Sequence, residues 1–244
     1  FCRGYQGVAA VYLHPAETGH GFREIKNFSL GNTELRIHVS GKPGAFCDET
    51  DTSDISAALN GAEVLLALRD WEKERSAQKG EPIHCIKVEY LSAHSGELLG
   101  YDLLDMELTV LVHFGLGDSV AGIQQDLSAY FGRRFQDHPW LSAHPPRIAQ
   151  GTRRANPAYL PREHELVRIL EKEVAAVTGC RDFVYQYHGA SDIRLPMLYG
   201  NTPAIGVGPL CGGLDEATGA EWLDLTDYLA GIKLAAGLIV DYCG

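Results

Sequence analysis

A dense polar turn carries the residue types best suited to chemistry in this chain. The surrounding stretch reads QYHGASDIRLPMLYGNTPAIGVGP, and within seven positions it holds His188, Gly189, Ser191, Asp192 and Arg194. A glycine lets a ligand or a second backbone approach closely, and an arginine guanidinium can bind a carboxylate through two parallel hydrogen bonds. We therefore predict that these residues bind a substrate. The alternative is that Asp192 and Arg194 pair with each other and only fix the turn.

A second candidate follows the apolar run VAAVYL at residues 8–13. Such a run predicts a strand that is covered on both faces in a parallel sheet. His14 follows directly, and open α/β sheets bind ligands at the carboxyl ends of their strands. His14 is therefore a candidate ligand residue, unless it only caps the strand with a hydrogen bond. In a parallel sheet, His14 and the polar turn would lie at the same rim.

Composition excludes several function classes. A chain of 244 residues with 45% hydrophobic and 22% charged residues is typical of a globular protein. The net charge of -11 argues against a nucleic-acid partner, because binding to phosphates needs a basic surface. No apolar run reaches the roughly 18 residues that span a bilayer, so no membrane partner is expected. The six cysteines form no C-x-x-C pair, which favours a reducing, cytoplasmic location.

The middle of the chain predicts a domain of its own. Residues 32–149 show the order β-α-β-β-α-β, which is typical of a two-layer α/β sandwich. The predicted elements are strands at 33–40, 83–91, 103–114 and around Ile148, with helices at 55–72 and 120–135. The strand at 103–114 is long, and we expect it to be an unprotected edge that pairs with a second copy, unless Asp105 and Glu107 prevent this.

The remaining residues, 1–31 and 150–244, predict two pieces of one doubly wound α/β domain. A helix at 163–178 is stopped by Gly179, and residues 202–207 predict a short buried strand. The last helix, at 223–242, is expected to bury one face. Its predicted inward residues are Leu225, Leu229, Ile232 and Ala236.

Four motifs in sequence resemble those of one enzyme family. They are VYLHPAETGHG, LRIHVSGKPG, GASDIR followed by TPAIGVGP, and EWLDLTDYLAGIKLAAGLI. Together they resemble the zinc metallopeptidases and deacylases typified by acetylornithine deacetylase, succinyl-diaminopimelate desuccinylase and carboxypeptidase G. The resemblance covers nearly the whole chain. It implies an incomplete doubly wound catalytic-type α/β domain at 1–31 and 150–244, interrupted by a β-α-β-β-α-β lid and dimerisation domain at 32–149.

The same resemblance implies that most of the metal site lies elsewhere. The H-x-D motif and the E-E pair of the family occur nowhere in this sequence, and the family's lid histidine is replaced at about Phe46. One or two zinc ions are therefore expected on a missing segment or partner chain, with no catalytic residue in this chain. His14 aligns with a metal-binding acid, and Asp215 or Glu216 stand near the last metal-ligating histidine. Alternatively, these two acids face water at the start of the last helix.

Two functions follow from the resemblance. In the first, the chain is part of a zinc-dependent amidohydrolase that cleaves an N-acylated amino acid or a small peptide. Gly189, Ser191 and Arg194 would then hold the carboxylate of this small-molecule substrate. In the second, the chain is a non-catalytic relative that keeps the scaffold for binding or regulation. In either case the resemblance implies a homodimer formed through the lid domain.

Overall fold

The computed structural model describes residues 7–16, 19–41, 56–79, 85–95, 103–188, 191–213 and 219–244. The strands are β1 (Ala10–Leu13), β2 (Glu24–Ser29), β3 (Gly31–Ser40), β4 (Cys85–Ser95), β5 (Leu103–Phe114), β6 (Arg147–Ala155), β7 (Ala158–Tyr159), β8 (Val184–His188), β9 (Ala204–Val207), β10 (Cys211–Gly212) and β11 (Trp222–Leu223). The helices are α1 (Ala57–Lys79), α2 (Val120–Arg134), α3 (Glu165–Thr178), α4 (Arg194–Gly200) and α5 (Leu225–Cys243).

The α/β class predicted from the sequence is confirmed. The chain divides into one unit of Phe1–Leu30 with Pro157–Gly244 and a second unit of Gly31–Asn156. Strand β6 crosses the boundary that was predicted at residue 149, because it continues to Ala155. Within the described residues, none of the helices combines the length and the apolar character needed to cross a bilayer.

The first unit is built on a mixed sheet. Strand β1 pairs with β9 in parallel, and β9 also pairs with β2, which runs antiparallel to it through the pair Lys26–Gly206. Strand β8 runs parallel to β2, and the short β7 runs antiparallel to β2. Strands β1 and β8 therefore run in opposite directions. The predicted parallel sheet with one shared rim was therefore wrong.

Helices α3 and α5 cover this sheet. Helix α3 begins after His164, whose Nδ1 accepts a hydrogen bond from the Leu166 N–H at 3.1 Å, and ends at Gly179 with a left-handed φ of 76°. That stop was predicted, and it is the backbone conformation that glycine adopts without strain. The core between helices and sheet is apolar and buried, and it includes Leu166, Leu170, Val174, Ile205, Val207, Leu234 and Leu238.

Two predictions about this unit were wrong. Strand β1 is not covered on both faces, since it lies at the edge of the sheet and exposes 39% of Tyr12 and 46% of Leu13. The predicted inward face of α5 points outward, with Leu225, Leu229, Ile232 and Ala236 all exposed. The helix buries Gly231, Leu234 and Leu238 instead. Its apolar residues surround the axis, so their pattern could not identify the buried side.

The second unit has the predicted element order, β3-α1-β4-β5-α2-β6. Its four strands form an antiparallel sheet in the order β4-β5-β3-β6, and α1 and α2 pack on one face over a core that includes Leu35, Leu68, Leu108 and Phe131. Strand β5 lies between β4 and β3, so the prediction that residues 103–114 form an edge was wrong. The edge strand beside it is β4.

Candidate functional site

The polar turn connects β8 to α4 and is fixed by Ser191. This serine is only 2% exposed, and its N–H donates to Ser29 Oγ at 3.3 Å. Its own hydroxyl oxygen accepts a hydrogen bond from the Ile193 N–H, also at 3.3 Å. The Ser191 side chain therefore shapes the backbone of the turn. The backbone of His188 ends β8, whereas the His188 side chain and Gly189 lie outside the described part of the chain.

Tyr185 anchors the strand that leads into this turn. Its ring lies under the Arg162 guanidinium, 4.0 Å from its centroid, and its hydroxyl hydrogen-bonds to the Glu171 carboxylate of α3. Burial, followed by that hydrogen bond and the charge of Glu171, raises the pKa of Tyr185. The phenol thus stays protonated at neutral pH and holds β8 against α3.

Arg194 is the unusual residue of the turn. It is the first residue of α4 and half-buried, and its Nε and Nη1 atoms are buried without a hydrogen-bond partner among the described residues. Asp192 is exposed, and no ion pair joins it to Arg194 in the described structure. The turn is therefore not fixed by that pair. Because buried polar atoms almost always have partners, these two guanidinium nitrogens indicate a place for an anion.

His14 belongs to a different cluster, which contains two buried charges. Lys26 and Glu24, both on β2, are 4% and 2% exposed. The Lys26 ammonium lies 3.0 Å from His14 Nδ1, 2.9 Å from the Pro15 carbonyl oxygen and 3.5 Å from Glu24 Oε1. Glu24 and Lys26 were not predicted as site residues, because charged residues that alternate along a strand are typical of an exposed face.

Two glycines allow this cluster to close. Gly206 lies opposite Lys26, whose Cβ would be 3.1 Å from a Cβ at that position. A Cβ at Gly208 would collide with the His14 carbonyl oxygen. The Lys26 side chain can therefore approach β9 because residue 206 is a glycine. The backbone at His14 can approach the residue after β9 because residue 208 is also a glycine.

The described residues do not fit a zinc site. A structural or catalytic zinc needs three or four protein ligands, and no group of three or more histidine, cysteine, aspartate or glutamate residues in the described ranges can hold a metal ion. Nδ1 of His14 is already engaged by Lys26, and the predicted ligands Asp215 and Glu216 lie outside the described residues. That His14 and Asp215 bind a metal therefore stays a prediction.

The two predicted sites, the polar turn and His14, lie at different places in the first unit. The polar turn contacts Ser29 at the end of β2, whereas His14 contacts Lys26 within β2. Because β1 and β8 run in opposite directions, their carboxyl ends do not form one rim. A parallel sheet would have brought these residues together, and strand direction cannot be read from one sequence.

Comparison with known proteins identifies the fold. No protein-family model and no curated protein sequence matches the chain. Solved structures do match it. A hydantoinase/carbamoylase-family amidase from Burkholderia phymatum has a TM-score of 0.62 at 14% identity, over 96% of this chain and 55% of the amidase. A tripeptidase from Staphylococcus aureus has a TM-score of 0.66 at 11% identity, over 96% of this chain and 57% of the tripeptidase.

A third example is the dipeptidase Dug1p from Saccharomyces cerevisiae, with a TM-score of 0.65 at 10% identity. The match covers 98% of this chain and 59% of the dipeptidase. At such low identity the comparisons show a shared fold. The chain thus spans a little more than half the length of the solved structures that it matches.

Proposed function

We propose that the chain is part of an amide-bond hydrolase that acts on N-acylated amino acids or small peptides. The proteins that share the fold are named as an amidase, a tripeptidase and a dipeptidase, and all of these names describe cleavage of amide bonds. Substrates of this class carry a free carboxylate. The proposed role of this chain is to bind that carboxylate and so to place the amide bond for attack.

The observation that carries this proposal is the buried and unpartnered pair of guanidinium nitrogens on Arg194. Nε and Nη2 of an arginine lie on the same edge of the planar group, which is the edge that binds both oxygens of a carboxylate, whereas Nη1 lies on the other side and can donate separately. Burying guanidinium nitrogens without a hydrogen-bond partner costs free energy, so an arginine that interacts only with water usually keeps these atoms exposed. The proposed contact is therefore a bidentate salt bridge on the Nε edge of the guanidinium, with the buried Nε and the adjacent Nη2 as donors to the substrate carboxylate.

Zinc enters this proposal through the sequence resemblance alone. When bound, zinc in such a hydrolase supplies a water molecule activated for attack on a carbonyl. Since the described residues of this chain do not form a site for it, we propose that its ligands come from a complementing segment or partner chain that carries H-x-D and E-E motifs. The free thiols of Cys180, Cys211 and Cys243 agree with a proposed cytoplasmic location.

The first unit offers a surface for that complementing segment. Outward residues of α5 are strongly exposed, with Ile232 at 55%, Ile239 at 65% and Val240 at 68%. Next to them, apolar grooves of about 250 and 420 Å³ are lined by α5 together with Leu13 of β1. The solved structures extend well beyond the part that matches this chain. We propose that the complementing segment covers these grooves and pairs with the edge of β1.

The carboxylate proposal is tested by ligand binding. An N-acetyl amino acid and its C-terminal carboxamide analogue are titrated into the complemented assembly and followed by calorimetry. The wild-type protein should bind the carboxylate more tightly than the amide. Arg194→Met should remove that preference and weaken carboxylate binding by about 10- to 100-fold, because hydrogen bonds to charged groups contribute about 1.5–3 kcal/mol.

Arg168→Met is the matched control, since Arg168 is an exposed arginine on α3 of the same unit. It should bind both compounds like the wild type. Arg194→Lys keeps the charge without the planar group and should recover only part of the affinity. The proposal fails if the wild type does not distinguish acid from amide, or if Arg168→Met and Arg194→Met lose affinity equally.

The second candidate, a non-catalytic binding subunit, is favoured by the Lys26 ammonium beside His14. The positive charge of Lys26 repels a metal ion bound to the same imidazole, which disfavours metal binding by His14. The two functions are separated by turnover in the complemented assembly with zinc supplied. Arg194-dependent binding together with Arg194-dependent hydrolysis supports the enzyme, whereas the same binding without hydrolysis supports the binding subunit.

A further inference from the structure

A groove between the two helices of the second unit is lined by charges of both signs. It lies where α1 and α2 approach each other, has a volume of about 370 Å³, and is bordered by Asp70, Lys73, Glu74, Tyr130 and Arg134. The first three residues belong to α1, and the last two belong to α2. Sites for small molecules usually occupy about 300–1,000 Å³, so the groove is large enough for a small ligand.

Tyr130 forms the buried part of this groove. It is 5% exposed and belongs to the hydrophobic core of the unit, next to Phe131. Its hydroxyl has no hydrogen-bond partner among the described residues. A tyrosine hydroxyl on a side chain this buried usually has such a partner. The hydroxyl is therefore a donor that remains available to a molecule in the groove.

Charges of both signs act on this hydroxyl. Burial is the main reason that the pKa of Tyr130 is raised, and the charges of Glu74 and Asp70 raise it further. Arg134 acts in the opposite direction. The phenol thus stays protonated at neutral pH and can donate a hydrogen bond. The acids and the arginine that influence it stand on opposite helices.

The acid and the base that face each other across the groove do not pair. Asp70 has a partner on its own helix, since Lys73 Nζ lies 3.9 Å from Asp70 Oδ1. Glu74 and Arg134 have no ion pair in the part of the chain that the structure describes. Exposed charges can remain hydrated without a partner. An unpartnered buried hydroxyl between two such charges favours a ligand that contacts all three, and this ligand must carry a cationic and an anionic end.

We propose that this groove binds a small zwitterion, namely a free α-amino acid or a dipeptide. The ligand carboxylate accepts hydrogen bonds from the Tyr130 hydroxyl and the Arg134 guanidinium. The ligand ammonium lies against the Glu74 carboxylate. Binding at this groove requires neither Arg194 nor zinc.

One consequence rests on the proposed function. When water cleaves the amide bond of an N-acylated amino acid, it releases an acyl carboxylate and an amino acid with a free ammonium. The N-acylated substrate has no such ammonium. The groove would therefore bind the amino-acid product and discriminate against the substrate.

Binding is measured through the ring signals of Tyr130 in ¹H–¹³C NMR of the full chain labelled with ¹³C-tyrosine. These signals are assigned from their loss in Tyr130→Phe. The zwitterionic probes are L-alanine and L-alanyl-L-alanine, whereas N-acetyl-L-alanine lacks the ammonium and L-alaninamide lacks the carboxylate. We expect both zwitterions to shift the Tyr130 signals with saturation, and the tighter of the two identifies the length of the ligand. Each analogue should bind about two- to fivefold more weakly than L-alanine, which is the range for the loss of one exposed ion pair.

Neighbouring residues on the same helices supply matched controls. Arg134→Met should weaken binding of the zwitterion about two- to fivefold. Arg133→Met should not, because Arg133 precedes Arg134 on α2 and does not line the groove. Glu74→Gln should weaken binding to a similar extent, with the exposed Glu63→Gln on α1 as its control. Glu74→Gln/Arg134→Met should lose the preference for the zwitterion over both analogues.

Three results would overturn the inference. The first is that a large excess of either zwitterion leaves the wild-type Tyr130 signals unmoved. The second is that the analogues bind as tightly as L-alanine, and the third is that Arg133→Met and Arg134→Met weaken binding equally. Titration of the Arg194→Met protein separates this site from the carboxylate proposal. Its Tyr130 signals should respond as in the wild type, whether or not Arg194-dependent binding is found, and loss of that response would also contradict the inference.

Discussion

At the scale of single residues, Lys26 and Arg194 differ in whether their polar atoms have partners, and that difference distinguishes a structural role from a binding role. Lys26 is nearly fully buried, and its ammonium contacts His14 Nδ1, the Pro15 carbonyl oxygen and the Glu24 carboxylate, so it stabilises its surroundings. Arg194 is half-buried, and two of its nitrogens have no partner in the described structure. A satisfied buried charge needs no ligand, whereas an unsatisfied one is stabilised by binding an anion. This difference is the reason for assigning the ligand carboxylate to Arg194.

A buried acid in the second unit gives a prediction about pH. Glu34 is 5% exposed, and its carboxylate accepts hydrogen bonds from Arg153 Nε at 2.8 Å and from the Thr152 N–H at 3.4 Å. The hydrogen bond from Arg153 is the main reason that the pKa of Glu34 lies below its usual value. A lowered folded-state pKa stabilises the protein above the pKa of the unfolded chain, and the contribution is lost as pH falls through the folded value.

Glu34→Gln should therefore lower the free energy of unfolding at pH 7 by about 1 kcal/mol or more, because a charge-assisted hydrogen bond is lost. The difference between wild type and variant should shrink as pH falls below the usual glutamate pKa of 4.5. Urea denaturation at several pH values measures it, with the exposed Glu163→Gln as the control. A difference that is constant with pH would show that the Glu34 charge contributes nothing.

At the scale of elements, the features that depend on a few neighbouring residues could be predicted from the sequence. The stop of α3 at Gly179 and the buried β9 follow from a left-handed glycine and a short apolar run. Arg194 was predicted from its side chain alone, but the sequence could not show that its nitrogens lack partners. Helix α4 was missed, since seven residues that include Pro196 and end at Gly200 carry little helical signal. The predictions of strand direction and strand order were wrong, because both properties depend on contacts between distant parts of the chain.

The corrected strand order changes the expected dimer contact. Strand β4 is the edge of its sheet and exposes Val88 by 46%, Tyr90 by 55% and Leu91 by 48%. An exposed edge of this kind can pair with its own copy around a twofold axis. We therefore move the proposed homodimer contact from β5 to β4.

Tyr90→Lys should shift the dimer toward monomer, since it places a charge on the edge strand that meets its copy. Sedimentation equilibrium of the complemented assembly measures the dissociation constant, which we expect to rise by about tenfold or more for a loss of about 1.4 kcal/mol. Tyr199→Lys is the matched control, because Tyr199 is 66% exposed in the first unit. If both variants associate as the wild type does, β4 is not the dimer contact.

At the scale of the whole molecule, exposed apolar side chains are concentrated in one region of the first unit. Isolated apolar side chains on a surface are ordinary, but a contiguous set on one helix and a neighbouring strand indicates contact with another chain or segment. In the first unit, α5 exposes such a set, and β1 pairs on one side only among the described strands. Each β1 backbone group on the open side can bond to an added strand.

This surface leads to a prediction about assembly. The chain expressed alone should associate with itself, whereas coexpression with a segment that carries H-x-D and E-E motifs should give a defined complex. Ile232→Lys/Ile239→Lys should weaken both self-association and complex formation, because it places two charges on the exposed face of α5. Leu116→Lys is the control, since Leu116 is 49% exposed in the second unit. Size-exclusion chromatography with mass spectrometry distinguishes these species, and a stable, monodisperse 26.7 kDa monomer of the unaltered chain would contradict the proposal.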